Sequence, residues 1–194
     1  MCTDRVTKYR TIVADPPWRF SNRSGKGAPE HRRLRRYATL SVAEIAALPI
    51  ASIAEPDAHL YLWVPNALLA DGHRVMSAWG FVYKTSLVWF KRRSDGGPDL
   101  RCMGFYFRNV TEFLLFGVRG HLRTLPPARK LPNVIEAGKH GHSVKPEAAI
   151  DLIETVSPGP YVELFARRHR LGWDVWGDES ANTATLGRQQ GGRP

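Results

Sequence analysis

Asp15-Pro16-Pro17-Trp18 gathers a carboxylate, two prolines and an indole in one short stretch. Each proline fixes its own φ and restricts the residue before it, so the backbone that carries these groups is stiff. Such a set can grip a planar base bearing an exocyclic amine. Asp15 can accept one N–H, the Pro16 carbonyl can accept a second, and Trp18 offers a face for stacking. The amine of adenine is a poor nucleophile because its lone pair is delocalised into the ring. Two acceptors held out of the ring plane would draw that nitrogen toward tetrahedral geometry and localise the pair. They would also stabilise the positive charge that grows as nitrogen attacks an electrophilic carbon. The same four residues can equally make a proline-stiffened turn with a core tryptophan.

The elements around the motif favour the first reading. Residues 9–14 form a short run centred on Thr11, Ile12 and Val13, which reads as a buried strand. The motif therefore falls where a strand ends, and the ligand crevice of an open α/β sheet lies outside the carboxyl ends of its strands. From Arg19 to Thr39 the chain turns polar and basic, a loop of functional length beside the motif. Arg32, Arg33, Arg35 and Arg36 could hold phosphates there, with Tyr37 stacking on a base; an ordinary solvated basic loop is the alternative.

Further on, Ser41 and Glu44 have capping-box spacing and open a short helix through Leu48. Strands are predicted at 59–64, 81–90, 111–118 and 161–166, with a last strand-like piece at 171–176. Residues 161–166 read as the most deeply buried of them, although Glu163 lies inside the run and an unpaired carboxylate should not be buried. Helices are predicted at 67–79, stopped by Gly80, and from Pro146 to about Val156. Polar loops fill 91–103 and the stretch from Arg123 to His142. Trp63 and Trp89 read as core or crevice walls. Strands alternating with helices indicate an α/β domain with a mostly parallel sheet over 1–179, followed by a disordered C-terminal tail over 180–194.

Composition narrows the partners. The 194 residues are 43% hydrophobic, enough for one globular domain with a sizeable core. A formal net charge of +10 favours an anionic partner, usually nucleic acid. Cys2 and Cys102 are the only cysteines, which argues against a disulfide scaffold. His140 and His142 lack companion ligands, so no metal site is expected. A polar start and the lack of a long apolar run point to a cytoplasmic protein without a signal peptide or membrane span.

Five stretches in order resemble the adenine-N6 methyltransferases, the family of the messenger-RNA adenosine methyltransferase catalytic subunits and their bacterial and phage relatives. They are Ala14 to Trp18; residues 60–64 with the helix ending at Trp79-Gly80-Phe81; Glu112 to Gly120; His142 to Glu147; and Glu163 to Arg167. Together they cover nearly the whole chain. The resemblance implies a Rossmann-like, S-adenosylmethionine-dependent methyltransferase fold of permuted order, with the catalytic motif first and the cofactor strand late. It implies that Asp15, Pro16, Pro17 and Trp18 form the catalytic motif, and that Asp15 also lies near the cofactor. Lys145 would help bind the methionine end, Glu163 with Arg167 and His169 the ribose and its surroundings, and Asp178 and Glu179 the cofactor adenine. The loops at 19–37 and 123–142 would gate base and cofactor. The implied reaction is methyl transfer to N6 of adenine in nucleic acid, DNA more than RNA, on a single-stranded or flipped base. The alternative is a noncatalytic nucleic-acid-binding subunit on the same fold. Retention of the whole motif together with Lys145 weighs against it.

Overall fold

The computed structural model describes residues 7–20, 39–102, 104, 106–139, 144–177 and 182–186. Within them one seven-stranded sheet runs in the order β5-β3-β4-β2-β1-β6-β7. The strands are β1 (Tyr9–Ala14), β2 (Ala54–Val64), β3 (Val82–Arg92), β4 (Thr111–Arg119), β5 (Val134–Gly138), β6 (Tyr161–Leu164) and β7 (Trp173–Trp176). Only β4 runs against its neighbours; the β1–β2, β1–β6, β3–β5 and β6–β7 pairs are parallel. The mostly parallel α/β sheet expected from the alternating pattern is therefore present.

The helices are α1 (Val42–Ala46), α2 (Ile50–Ile53), α3 (Leu69–Ala78) and α4 (Glu147–Val156). The capping box at α1 forms as the spacing predicts: the Ser41 hydroxyl accepts from the Glu44 amide, and the Ser41 amide donates to the Glu44 carboxylate. Gly80 closes the α3 end at φ 82°, a left-handed conformation that favours glycine. On one face of the sheet Ile12, Leu60, Leu62 and Val162 pack with Ile45, Val75, Met76 and Trp79 from α1 and α3. Gly117 lets α3 lie close, since a Cβ there would sit 2.7 Å from the Met76 sulfur. On the other face Val13, Tyr61, Trp63, Leu114 and Phe116 meet Ala149, Ile150 and Ile153 of α4.

Three expectations change. The most deeply buried strand is β2, buried at every position from Ala58 to Val64, whereas β6 alternates half-buried and buried. Helices cover β2 on both faces, while Tyr161 and Glu163 face a less filled side. Residues 134–138, read as part of a polar loop, form β5 beside β3. Residues 182–186, assigned to the disordered tail, pack back on β7: the amides of Thr183 and Ala184 both donate to the Val175 carbonyl, and Ala184 is buried. No helix among the described residues is long and apolar enough to cross a membrane.

Candidate active site

Asp15 is the first residue past β1. Its amide reaches the Leu164 carbonyl at 3.4 Å, so β6 guides the chain into the motif. The Pro16 carbonyl accepts the Trp18 amide at 2.8 Å, and an oxygen with two lone pairs keeps one for another donor. Leu40 donates to the Pro17 carbonyl and Arg19 to the Leu40 carbonyl, which ties Leu40 back against the motif.

The Asp15 carboxylate meets Lys145 Nζ at 2.9 Å, and the same ammonium lies 3.0 Å from Glu112. Glu112 in turn pairs with Lys91 at 2.9 Å. Two carboxylates and two ammoniums thus form an electrically balanced chain across β1, β3, β4 and the entry to α4. Indole rings line it: Lys145 sits 5.3 Å from the Trp63 ring centroid and Lys91 4.8 Å from that of Trp89. Burial pushes the Asp15 carboxyl up, Lys145 opposes that, and Glu112 adds to it; the net direction is upward. Burial also acts on Glu112, but Lys145 and Lys91 outweigh it and hold Glu112 below the usual glutamate value. For Lys145, Asp15 and Glu112 overcome the downward pull of burial, so the ammonium stays charged.

Glu163 stands on β6 opposite Val13 of β1, on the sheet face that Asp15 shares. Its half-buried carboxylate makes no hydrogen bond with any other described residue. Burial raises its pKa, Arg170 opposes, and Asp15 adds to the rise. Two residues on, Phe165 holds φ at 62°, a strained backbone at the mouth of the crevice. A half-buried acceptor with no donor among the described residues is suited to a ligand's hydroxyl groups, which is the fit a cofactor ribose requires.

The structure thus brings Asp15, Pro16, Lys145 and Glu163 together. Arg167 and His169 are exposed just beyond β6, and Arg167 exerts a small downward pull on the Asp15 pKa. Arg168 and Arg170 both pair with Glu147 at the start of α4. Trp18 departs from its expected place beside a base: it is 5% exposed, packs in the core, and donates its indole N–H to the Trp63 carbonyl at 2.9 Å. Its ring anchors the loop to β2 and is not an open stacking face. Pro17 is half-buried. Arg32, Arg33, Arg35, Arg36, Tyr37, Asp178 and Glu179 lie outside the described residues.

The loop expected to gate the site from Arg123 onward divides. Residues 121–127 line a cavity of about 840 Å³ with Phe116 and Val118, at the far end of β4 from Glu112. The Leu125 amide ties this part to the Val156 carbonyl at the end of α4, away from Asp15. Lys145 itself lies in the crevice, beside Asp15 and Glu112. Glu112 and Lys91 are the residues that sequence reasoning assigned no role. Glu112 carried one signal, a lone carboxylate opening the apolar run 113–118.

Residues 9–179 match the family described as MT-A70. The chain is 32% identical to the Type II methyltransferase M.MunI of Mycoplasma sp over 188 residues, covering 89% of this chain and 78% of that protein. It is 30% identical to the human N(6)-adenine-specific methyltransferase METTL4, over 92% of this chain and 39% of the relative. It is 28% identical to the human N(6)-adenosine-methyltransferase catalytic subunit METTL3, over 95% of this chain and 29% of the relative. The chain therefore spans well under half the length of the two human proteins.

Proposed function

The chain belongs to the MT-A70 family and is an adenine-N6 methyltransferase, and from that premise we propose that it takes the methyl group from S-adenosylmethionine and acts on an unpaired or flipped adenine of a nucleic acid through Asp15 and Pro16. The observation that carries the proposal is the Asp15 carboxylate at the end of β1, held by Lys145 at 2.9 Å and linked through it to Glu112. When bound, S-adenosylmethionine supplies an electrophilic methyl group on a sulfonium.

The residues of the chain have separable tasks. Asp15 Oδ and the free lone pair of the Pro16 oxygen each accept an N–H of the target amine, which turns its nitrogen lone pair toward the methyl carbon. As nitrogen becomes positive, Asp15 sits where the surplus proton must leave, and its raised pKa makes it a readier acceptor. Lys145 orients Asp15, since its ammonium is shared by two protein carboxylates. With two N–H groups so engaged, one remains for a ligand carboxylate. Glu163 holds the ribose hydroxyls. Arg167 and His169 lie at the rim of the same site. The basic run Arg32, Arg33, Arg35 and Arg36, with Tyr37, is assigned to substrate phosphates and bases by its residue types and its place in the chain just after the motif, and the acidic pair Asp178 and Glu179 is assigned to cofactor adenine by resemblance.

DNA is favoured over RNA because, among the relatives named above, the chain spans most fully the Type II methyltransferase. Incubation with methyl-labelled S-adenosylmethionine and matched single- and double-stranded DNA and RNA, followed by nucleoside analysis, tests the whole reading. Label on N6-methyldeoxyadenosine is expected. Label on the ribonucleoside alone would reverse the polymer assignment, and no labelled adenine in any polymer would overturn the function.

A further inference from the structure

We propose that Tyr106 and Phe107, between β3 and β4, form a stacking platform for the bases that flank the target adenine on a single strand. The inference rests on the nucleic-acid reading above and adds a second contact region to it. Tyr106 is 95% exposed and Phe107 is 85% exposed. Neighbouring aromatic rings so fully in water lose hydrophobic stabilisation unless something covers them.

The loop is rooted in the charge chain of the site. The Lys91 amide donates to the Val110 carbonyl, and the Asp99 amide donates to the Lys91 carbonyl, both at 2.8 Å. Both ends of the loop are therefore bonded to the residue whose ammonium holds Glu112. The base of the loop is also firmly built. Asp99, 1% exposed, accepts from Arg101 Nε at 2.7 Å, from Arg101 Nη2 at 3.0 Å and from the Arg101 amide at 3.2 Å. On the other limb the Asn66 amide group donates to the Thr111 carbonyl at 3.2 Å and to Asn109 Oδ1 at 3.4 Å. A braced stem with bare rings at its tip is suited to presenting them.

Charge and area choose the occupant. Arg92, Arg93 and Arg101 are neutralised by Glu136, Asp95 and Asp99, and Arg108 has no carboxylate partner among the described residues. The tip is thus aromatic first and cationic second, so it meets bases more than phosphates. Nucleobases all have a π-face, and stacking on aromatic side chains tolerates any sequence. A protein partner fits less well: two aromatic side chains supply about 300–500 Å², against about 800 Å² per partner in a standard interface.

The test uses the full chain and a labelled oligothymidylate with one central adenine. Binding is followed by anisotropy across a salt series and methylation is scored on the same strand. Tyr106→Ala with Phe107→Ala is expected to weaken binding about 5- to 100-fold. The salt slope should stay unchanged, because no phosphate contact is removed. Tyr106→Trp with Phe107→Trp should restore affinity, with indole fluorescence quenched on binding. Wild-type affinity in the alanine variant would overturn the platform while leaving the functional reading intact. So would a change in the mass of the free protein by light scattering, which would assign the patch to a second copy of the chain. Platform-dependent binding without labelled adenine would overturn the functional reading and keep the platform.

Discussion

Two buried polar clusters lie on one face of the sheet, toward opposite ends of β2. At one end the Ser157 hydroxyl meets His59 Nδ1 at 2.8 Å and the Tyr61 hydroxyl at 2.7 Å, and His59 Nε2 reaches the Leu122 carbonyl. At the other, beside Trp63, stand Asp15, Lys145, Glu112 and Lys91. His59 and Trp63 are four residues apart on one strand, a separation of roughly 13 Å. Burial lowers the His59 pKa and raises that of Tyr61, so the first cluster is neutral. Its polar atoms satisfy one another, and nothing is left over for a ligand. The second cluster is ionic and open: burial pulls the Asp15 pKa up while Lys145 opposes it, and Glu163 nearby has no hydrogen-bond donor among the described residues. Burial of polar groups alone does not mark a site. Buried charge with an unfilled acceptor beside it does.

The largest effect should come from Lys145→Met. Asp15 and Glu112 would share a buried space without a cation, and loss of one partner of a buried pair costs about 3–5 kcal/mol. Turnover at neutral pH should fall about 100-fold or more, because Asp15 would hold its proton and lose its place. The acid limb of the kcat profile should move up in pH, since the ammonium that opposes the burial effect on Asp15 is gone. An unmoved limb would separate Asp15 from catalysis.

Glu112→Gln sharpens the comparison by its sign. Glu112 raises the Asp15 pKa, so removing its charge should move the same limb down. Turnover should drop about 10-fold, as Asp15 becomes a weaker proton acceptor and Lys145 a looser support. A shift in the same direction as Lys145→Met would break the charge-chain description.

At the neutral end, Ser157→Ala removes the shared partner of His59 and Tyr61. It should lower stability in urea by about 1–3 kcal/mol, with kcat unchanged. A kcat loss comparable to that of Glu112→Gln would mean that the two ends are not distinct. The smallest effect concerns pH. His59 has a folded pKa below its ordinary value of 6.5. As pH falls below that value the unfolded chain takes the proton first, so stability declines until the folded pKa is reached. His59→Gln should flatten the slope of stability against pH below about 6.5; an unaltered slope would assign it to another group.

Local chemistry carried much of this molecule. The capping box at Ser41, the glycine stop at Gly80, the apolar runs of β1 and β4 and the placing of Asp15 at a strand end follow from spacing within a few residues. The charge chain does not. Asp15, Glu112 and Lys145 are far apart in the sequence, and only the crossing of β1, β4 and the α4 entry joins them. β5 escaped because Ile135 is its only buried side chain in a stretch bounded by prolines and cations. Trp18 was misplaced for the opposite reason: an indole beside a catalytic motif invites a stacking role, yet the Trp63 carbonyl and the core claim it. The depth of β6 was overstated because an apolar run shows the residues that want burial, not which strand has helices on both sides.

The most direct measurement is the single-turnover rate of methyl transfer by Asp15→Asn at saturating donor and polymer. Asparagine keeps the shape and one acceptor oxygen but loses the charge and the proton-accepting site. Glu112 still faces Lys145 at 3.0 Å, so the melting temperature should stay close to that of the wild type. The rate should fall about 100-fold or more. A rate near that of the unaltered chain would contradict the assignment of Asp15 as the group that takes the adenine amine.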